Sequence, residues 1–419
     1  MRVLTLTNMF PPQALGGYEL SCADVMQRFV EAGHDVQVLT TDVALAPEQR
    51  VGAAAANIAV DRSLRWYWRD HAFVQPRLRQ RTALELRNRR LLHRAVMATK
   101  PDVVSVWGFG GMSMSLIDMV NATRIPAVYV VCDEWPIYGP RADAWIARAT
   151  DGERRDIAKM VAAAVRLPTA MPEPQGATFC WLSRFVRDRV LSTTGWQPAH
   201  ETVTYSGIDS GDFPLTARRN RTWQWQLLAV GRVEPRKGFM SAVEAMAELP
   251  ETATLRIVGP DDGGHADALR RRAAELGMLD RIAFDVVPRT RLREVYDEAD
   301  ALLFTSAWEE PFGLVPVEAM ARAVPVVAMP TGGAKEFLVD GVNCVAVTPG
   351  DAHALAAGVR LVADDAVLRA QIVDGGAKTA ADLTVDRLAE VLEKWHLAAA
   401  HGFADGEPTA RTSPVVGAP

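Results

Sequence analysis

Short apolar runs recur along the whole chain, each separated from the next by a stretch with helical spacing. A first series covers 2–7, 35–40, 103–107, 127–131, 177–183 and 202–207; a second covers 226–231, 254–259, 282–287, 301–306, 325–329 and 344–347. The runs are continuous in Val, Ile and Leu, the pattern of parallel strands covered on both faces by helices. This alternation predicts an α/β protein with two Rossmann-like domains, although neither half carries GxGxxG. The polar stretch 210–222, with Gly211, Pro214 and Arg218-Arg219-Asn220-Arg221, marks the expected junction. The domains then run over 1–210 and 222–384. A last helix is expected over 385–401, after one at 366–381. Residues 402–419 hold too few core formers to fold and are expected to be a disordered tail.

The run 301–306 leads into Glu309-Glu310-Pro311-Phe312-Gly313-Leu314-Val315-Pro316-Val317-Glu318. Its Pro-Phe-Gly turn predicts a helix over about 313–322. The first N–H groups of such a helix lack intrahelical partners, and its dipole adds partial positive charge, so Gly313, Leu314 and Val315 form a candidate diphosphate cradle. Glu310 before the turn and Glu318 within the helix are placed to hold a sugar ring and ribose hydroxyls. The run 226–231 leads into Gly231-Arg232-Val233-Glu234-Pro235-Arg236-Lys237-Gly238. Arg232 offers a planar fork of donors to phosphate oxygens and Lys237 a mobile point charge. Either segment taken alone also fits a solvated surface turn.

Together they resemble the signature of the retaining GT-B glycosyltransferases of family 4, in which Gly-Arg…Lys-Gly precedes Glu-x7-Glu. Thr331-Gly332-Gly333-Ala334-Lys335-Glu336 is similar to the family's Gly-Gly-x-x-Glu turn. Pro11-Pro12 with Gly16-Gly17-Tyr18-Glu19 resembles its N-terminal glycine loop, and Ser206-Gly207-Ile208-Asp209 its interdomain segment. The resemblance implies a GT-B fold, two Rossmann-like domains facing across a cleft, with the final helix packing back on the N-terminal domain. It implies transfer from a nucleotide-diphosphate sugar, UDP-sugars being favoured, to an acceptor hydroxyl with retention and without an essential metal or other cofactor. Arg232, Lys237 and Glu310 would be catalytic; Gly16, Gly17, Gly231, Phe312, Gly313, Leu314, Val315 and Glu318 would bind the donor.

The chain has 419 residues, 49% of them hydrophobic, and a net charge of −5, which gives no signal for nucleic acid. Cys22, Cys132, Cys180 and Cys344 have neither metal-ligand nor disulfide spacing. The histidines lack ligand spacing, and the pair Asp261-Asp262 fits a turn better than a metal site. No run reaches the ~18 apolar residues of a membrane span, and residues 1–4 lead straight into a strand, so a cytoplasmic protein is expected.

The acceptor side offers less. Asp133 and Glu134 follow the run 127–131 and are candidates for orienting an acceptor hydroxyl, although many family members place a His where Cys132 or Asp133 stands; Asp133 as the cap of a turn is an equal alternative. Residues 62–94 carry ten arginines against Asp70 and Glu85, with Trp66, Tyr67, Trp68 and Phe73 among them. Leu84, Leu91, Leu92, Ala95 and Val96 make an apolar helical stripe. The segment fits either a solvated helix seated on the core or a surface for an anionic acceptor or the inner membrane face. Three rival functions remain: a sugar-nucleotide epimerase, a phosphorylase-like enzyme, whose pyridoxal lysine has no candidate, and a non-catalytic nucleotide-sugar-binding partner subunit of another glycosyltransferase.

Overall fold

The computed structural model describes residues 1–46, 57–69, 72–150, 155–217, 222–261 and 263–409. The chain forms two compact units, Met1–Thr204 joined by the segment from Leu388, and Tyr205–Arg387. Unit 1 holds β1 (Arg2–Leu6), β2 (Asp35–Thr41), β3 (Ala59–Leu64), the short hairpin β4 (Trp68–Arg69) and β5 (Ala72–Phe73), β6 (Val103–Val106), β7 (Ala127–Val131), β8 (Thr178–Trp181) and β9 (His200–Val203). Apart from the hairpin, these make one parallel sheet in the order β3-β2-β1-β6-β7-β8-β9. β6, β7 and β8 are buried at every position, as both-face coverage by helices requires.

Unit 2 holds β10 (Gln226–Val230), β11 (Thr254–Val258), β12 (Ile282–Asp285), β13 (Ala301–Phe304), β14 (Val326–Ala328) and β15 (Val345–Ala346). They form a second parallel sheet in the order β12-β11-β10-β13-β14-β15. In each unit the strand order reverses once, between β1 and β6 in the first and between β10 and β13 in the second. A crevice outside the strand C-termini belongs at each reversal, since the following helices leave toward opposite faces there.

Four expectations need correction. β3 lies inside no predicted run, because its sequence AVDRSL buries only its last residue fully at the sheet edge. β9 stops at Val203 instead of continuing to residue 207, since Tyr205 takes a left-handed φ of 55° that no strand tolerates. The expected junction 210–222 is packed into unit 2 as far as 216: Phe213 is 1% exposed against Tyr296, Thr216 N donates to Ala321 O at 2.8 Å, and Arg322 donates to Pro214 O at 2.6 Å. Its Arg218–Arg221 cluster lies outside the described residues. The tail is held through 409, with Phe403 stacked on His200 and Glu407 pairing with the same imidazole at 2.7 Å; residues 410–419 lie outside the described residues.

The helix Val385–Ala400 contributes Leu388, Leu392, Trp395 and His396 to unit 1, all buried. His396 Nε2 meets Ser105 Oγ at 2.9 Å in the middle of β6, and its ring lies edge-on to Phe29.

Candidate active site

In unit 2 the two motif segments are stitched together at the strand reversal. β10 ends at Val230, and Gly231 continues with φ 143°, a conformation only glycine adopts freely. The turn Pro235–Lys237 then closes on Gly238, at φ 65°. A Cβ there would collide with the carbonyl of Thr305, so the basic turn and the segment after β13 approach as backbone on backbone. Thr305 Oγ1 donates to Lys237 O at 2.9 Å, and Ala307 N to Arg236 O at 2.9 Å. The Arg236 guanidinium lies over the Trp308 ring at 4.6 Å while pairing with Glu234 at 2.9 Å.

This stitching brings Lys237 Nζ to Glu310 Oε1 at 2.7 Å. Ser306 Oγ donates to the same carboxylate oxygen at 2.7 Å. Glu310 is buried, its side chain 6% exposed against 23% for Lys237, so the ammonium is the part of the pair that solvent or a ligand reaches. The acidic loop is fixed from below by the turn Gly332–Glu336: Gly333 N donates to Glu310 O at 2.7 Å and Thr331 Oγ1 to Trp308 O at 2.6 Å. Arg232 reaches Glu234 only at 4.0 Å and stays 44% exposed, leaving its fork presented outward.

The helix after the loop is shorter than predicted, Val315–Ala321 with Leu314 as N-cap and Pro316 in its first turn. Seven residues make a weak dipole, so the amides of Gly313, Leu314 and Val315 matter more than the macrodipole. Glu318 stands in the first turn and is buried; its N–H closes the first helical bond to Leu314 O at 2.9 Å. Tyr296 donates to Glu318 Oε2 at 2.7 Å and Arg289 to Oε1 at 3.4 Å. Burial raises the Glu318 carboxyl, and these two partners oppose the rise. Arg289, Tyr296 and Ser306 escaped the sequence reading. Arg289 and Tyr296 are spaced seven apart on the helix Arg289–Glu298, one shared face that the pattern contained.

The Phe312 side chain is 2% exposed, packed on Phe337 at 4.8 Å and Tyr205 at 6.1 Å, so it anchors the turn from inside and presents no ring outward.

Unit 1 gathers the other candidates at its own strand ends. Gly16 caps the helix Gly17–Glu31 and donates its N–H to Glu19 Oε2 at 2.9 Å, leaving both glycines exposed. Tyr18 OH donates to Val130 O at 2.7 Å, tying this loop to the end of β7. Asp133 accepts from Trp135 N at 3.0 Å and from Tyr138 OH at 2.8 Å; burial pushes its carboxyl up to about 6. It caps a turn and carries an unusual acidity at the same time. Glu134 is committed to Arg189 at 2.6 Å.

Part of the arginine-rich segment is structural. Arg62 donates to Phe10 O and Pro11 O, Arg81 is buried beside Ala144 O, and Arg89 bridges to Asp118 and Arg166 O. On the helix Leu78–Thr99, Leu92 and Ala95 are buried, and Leu84, Leu91 and Val96 pack on the core. Asp70 and His71 lie outside the described residues. Asp261 caps the helix His265–Glu275 through the amides of His265 and Ala266, and Asp262 lies outside the described residues. Among the described residues no group of His, Cys, Asp and Glu is arranged to hold a metal, and no helix is long and apolar enough to cross a membrane.

Residues 217–379 match the family model for glycosyl transferases group 1, and residues 15–211 the model for glycosyltransferase family 4. Glycogen synthase of Mycobacterium tuberculosis is 29% identical over 388 residues, covering 87% of this chain and 86% of the relative. D-inositol 3-phosphate glycosyltransferase of Mycolicibacterium vanbaalenii is 39% identical over 214 residues, 46% of this chain and 47% of the relative. Among solved structures, Anabaena HepE in complex with UDP-glucose superposes with a TM-score of 0.65 at 22% identity, over 94% of this chain and 99% of that one.

Proposed function

Because this chain belongs to the group 1, family 4 glycosyltransferases and has their GT-B fold, we propose that it is a retaining enzyme that takes a UDP-sugar as donor and needs no bound metal. The observation that carries this reading is the Lys237–Glu310 pair at the strand reversal of unit 2. Glu310 holds the ammonium at a fixed place without burying it. A diphosphate seated against Gly231 and the amides of Gly313, Leu314 and Val315 meets the cations of Lys237 and Arg232. Charge growing on the leaving phosphate oxygen as the anomeric C–O bond breaks is stabilised there, in place of a metal. The acceptor hydroxyl attacks on the face that the leaving group vacates. Its proton passes to the departing phosphate oxygen, so configuration is retained and no protein nucleophile is consumed. Glu318, held by Tyr296 and Arg289, accepts from ribose hydroxyls. Anabaena HepE, described in complex with UDP and with UDP-glucose, supports UDP as the first nucleotide to try.

The test is incubation of the purified chain with UDP-glucose, with and without EDTA, following UDP release and the anomeric configuration of the product by proton NMR. Release of UDP unaffected by EDTA, with an α-configured product, is expected. Tight binding without turnover would replace this reading by the partner-subunit one, and a changed sugar still attached to UDP by the epimerase one.

A further inference from the structure

The reversal of strand order in unit 1, between β1 and β6, is surrounded by aromatic rings that the donor chemistry leaves unused. Trp107 after β6 leads into Gly108-Phe109-Gly110-Gly111, and aromatic rings pack on the two last glycines. A Cβ on Gly110 would strike the Tyr138 phenol, and one on Gly111, at φ 77°, would strike Phe73 and the Trp66 indole. The rings therefore lie directly on bare backbone. Trp66 Nε1 donates to Gly110 O at 2.8 Å, and its ring stacks on Trp68 at 4.9 Å.

These rings cost free energy to display, and the backbone behind them is anchored. Phe73 is 47% exposed and Tyr138 36%. Behind them the Tyr67 hydroxyl, fully buried, donates to Glu85 Oε1 at 2.6 Å, and Tyr67 N donates to Gly111 O at 3.0 Å. Asn88 clamps the backbone of Arg65 in both directions, at 2.8 Å each way. The polar counterpart stands beside them: Tyr138 OH bonds Asp133 Oδ2 at 2.8 Å, and that carboxylate has lone pairs to spare after its two contacts. Rigid ring faces next to a carboxylate match a molecule with an apolar flat face and a rim of hydroxyls.

We propose that Trp66, Phe73 and Tyr138 form the acceptor subsite, that the acceptor is a neutral saccharide whose pyranose ring stacks on this shelf, and that Asp133 accepts a hydrogen bond from one of its hydroxyls. The proposal rests on the glycosyltransferase reading for its assignment to the acceptor and deepens it by naming the acceptor's class. A lipid surface is disfavoured, because a carboxylate stands beside the rings.

Saturation-transfer-difference NMR tests it, with maltohexaose, cellohexaose, mannohexaose and galactohexaose as probes of the wild-type chain and of the Phe73→Ala and Tyr138→Phe variants. At least one oligosaccharide is expected to bind, with saturation strongest on its ring C–H protons. Phe73→Ala is expected to weaken that affinity three- to tenfold, about the worth of one aromatic contact. Phe73 is half exposed on a short hairpin, so its removal does not threaten the fold, and Tyr138→Phe keeps the ring while removing the hydroxyl. The proposal is overturned if none of the four saccharides binds, if both variants bind as tightly as the wild type, or if only anionic phosphatidylglycerol vesicles bind. A wild type that shifts its melting temperature with UDP-glucose yet ignores all four saccharides defeats the shelf alone; one that binds a saccharide and ignores UDP-glucose defeats the transferase reading alone.

Discussion

Lys237 is held by a carboxylate that is more deeply buried than itself, so the two residues are not interchangeable in a mutational test. Lys237→Ala removes the charge proposed to face the leaving group, and turnover is expected to fall about 10² to 10³, the usual cost of one preorganised stabilising contact. Glu310→Gln leaves the ammonium in place but loosens it, and kcat is expected to fall with little change in donor KM. Glu318→Gln disturbs a carboxylate set between Tyr296 and Arg289, and here donor KM is expected to rise while kcat holds. Steady-state kinetics with UDP-glucose checks all three, and equal defects in the two glutamate variants would defeat the division of roles. Asp133 provides a pH signature. Its carboxyl is raised by burial to about 6, from an unfolded value near ~3.8. The proton is therefore bound more tightly in the native state, and the stability it contributes is present below pH ~4 and lost as pH rises through 6. Urea unfolding at pH 4, 5, 6 and 7 is expected to show a smaller fall over this window in Asp133→Asn than in wild type.

At the scale of elements, Gly238 and Phe213 show how backbone and packing set the site. Gly238→Ala forces a Cβ into the Thr305 carbonyl at a left-handed φ. The strain of the backbone conformation alone is about 1–2 kcal/mol, and the collision adds to it by pushing the basic turn off the segment after β13. Loss of the UDP-glucose thermal shift at a temperature where the variant is still folded is the expected outcome. Phe213→Ala removes a ring that is 1% exposed between Tyr296 and the Arg289 guanidinium, and a loss of about 3–5 kcal/mol in chemical unfolding is expected. Phe213 also marks where the sequence misleads. A single apolar residue among Asp, Gly, Pro and Arg reads as linker, because periodicity cannot register an isolated anchor. β6, β7, β8 and β13 were legible because each is a short apolar run buried at every position, whereas β3, polar along most of an edge, was not. The site followed the same division. Glu310, Lys237 and the glycines stand out as charged or bare positions at strand ends, while Tyr296 and Ser306 are ordinary in sequence and become functional only through their distance to a buried carboxylate.

At the scale of the molecule, unit 1 is closed by residues from the far end of the chain, and one of them makes its stability depend on pH. His396 is fully buried, with Nδ1 at 2.6 Å from Leu392 O and Nε2 at 2.9 Å from Ser105 Oγ. A carbonyl can only accept, so Nδ1 carries the proton and Nε2 receives the serine hydroxyl, a neutral ring with both positions satisfied. Burial lowers its pKa to about 4, against ~6.5 in the unfolded chain. The depressed value means that the unfolded state takes up the proton first, so the contribution is intact above pH ~6.5 and is lost as pH falls toward 4. Between pH 7 and pH 5 the loss amounts to about 2 kcal/mol. Asp133 works in the opposite direction over part of that range, as do the buried Glu85 and Asp143, whose carboxyls burial also raises, so the raw slope of the wild type mixes both signs. The informative quantity is the difference between wild type and His396→Gln, a neutral side chain that does not titrate. Denaturation midpoints are expected to converge by about 2 kcal/mol on going from pH 7 to pH 5, because only the wild type loses the histidine contribution. Hydrogen exchange places the effect: protection is expected to fall on acidification in β6 and in the helix Gly17–Glu31, whose Phe29 touches the His396 ring, while β10 to β15 keep theirs. A midpoint difference that does not change with pH would mean that His396 titrates alike in the folded and unfolded chain.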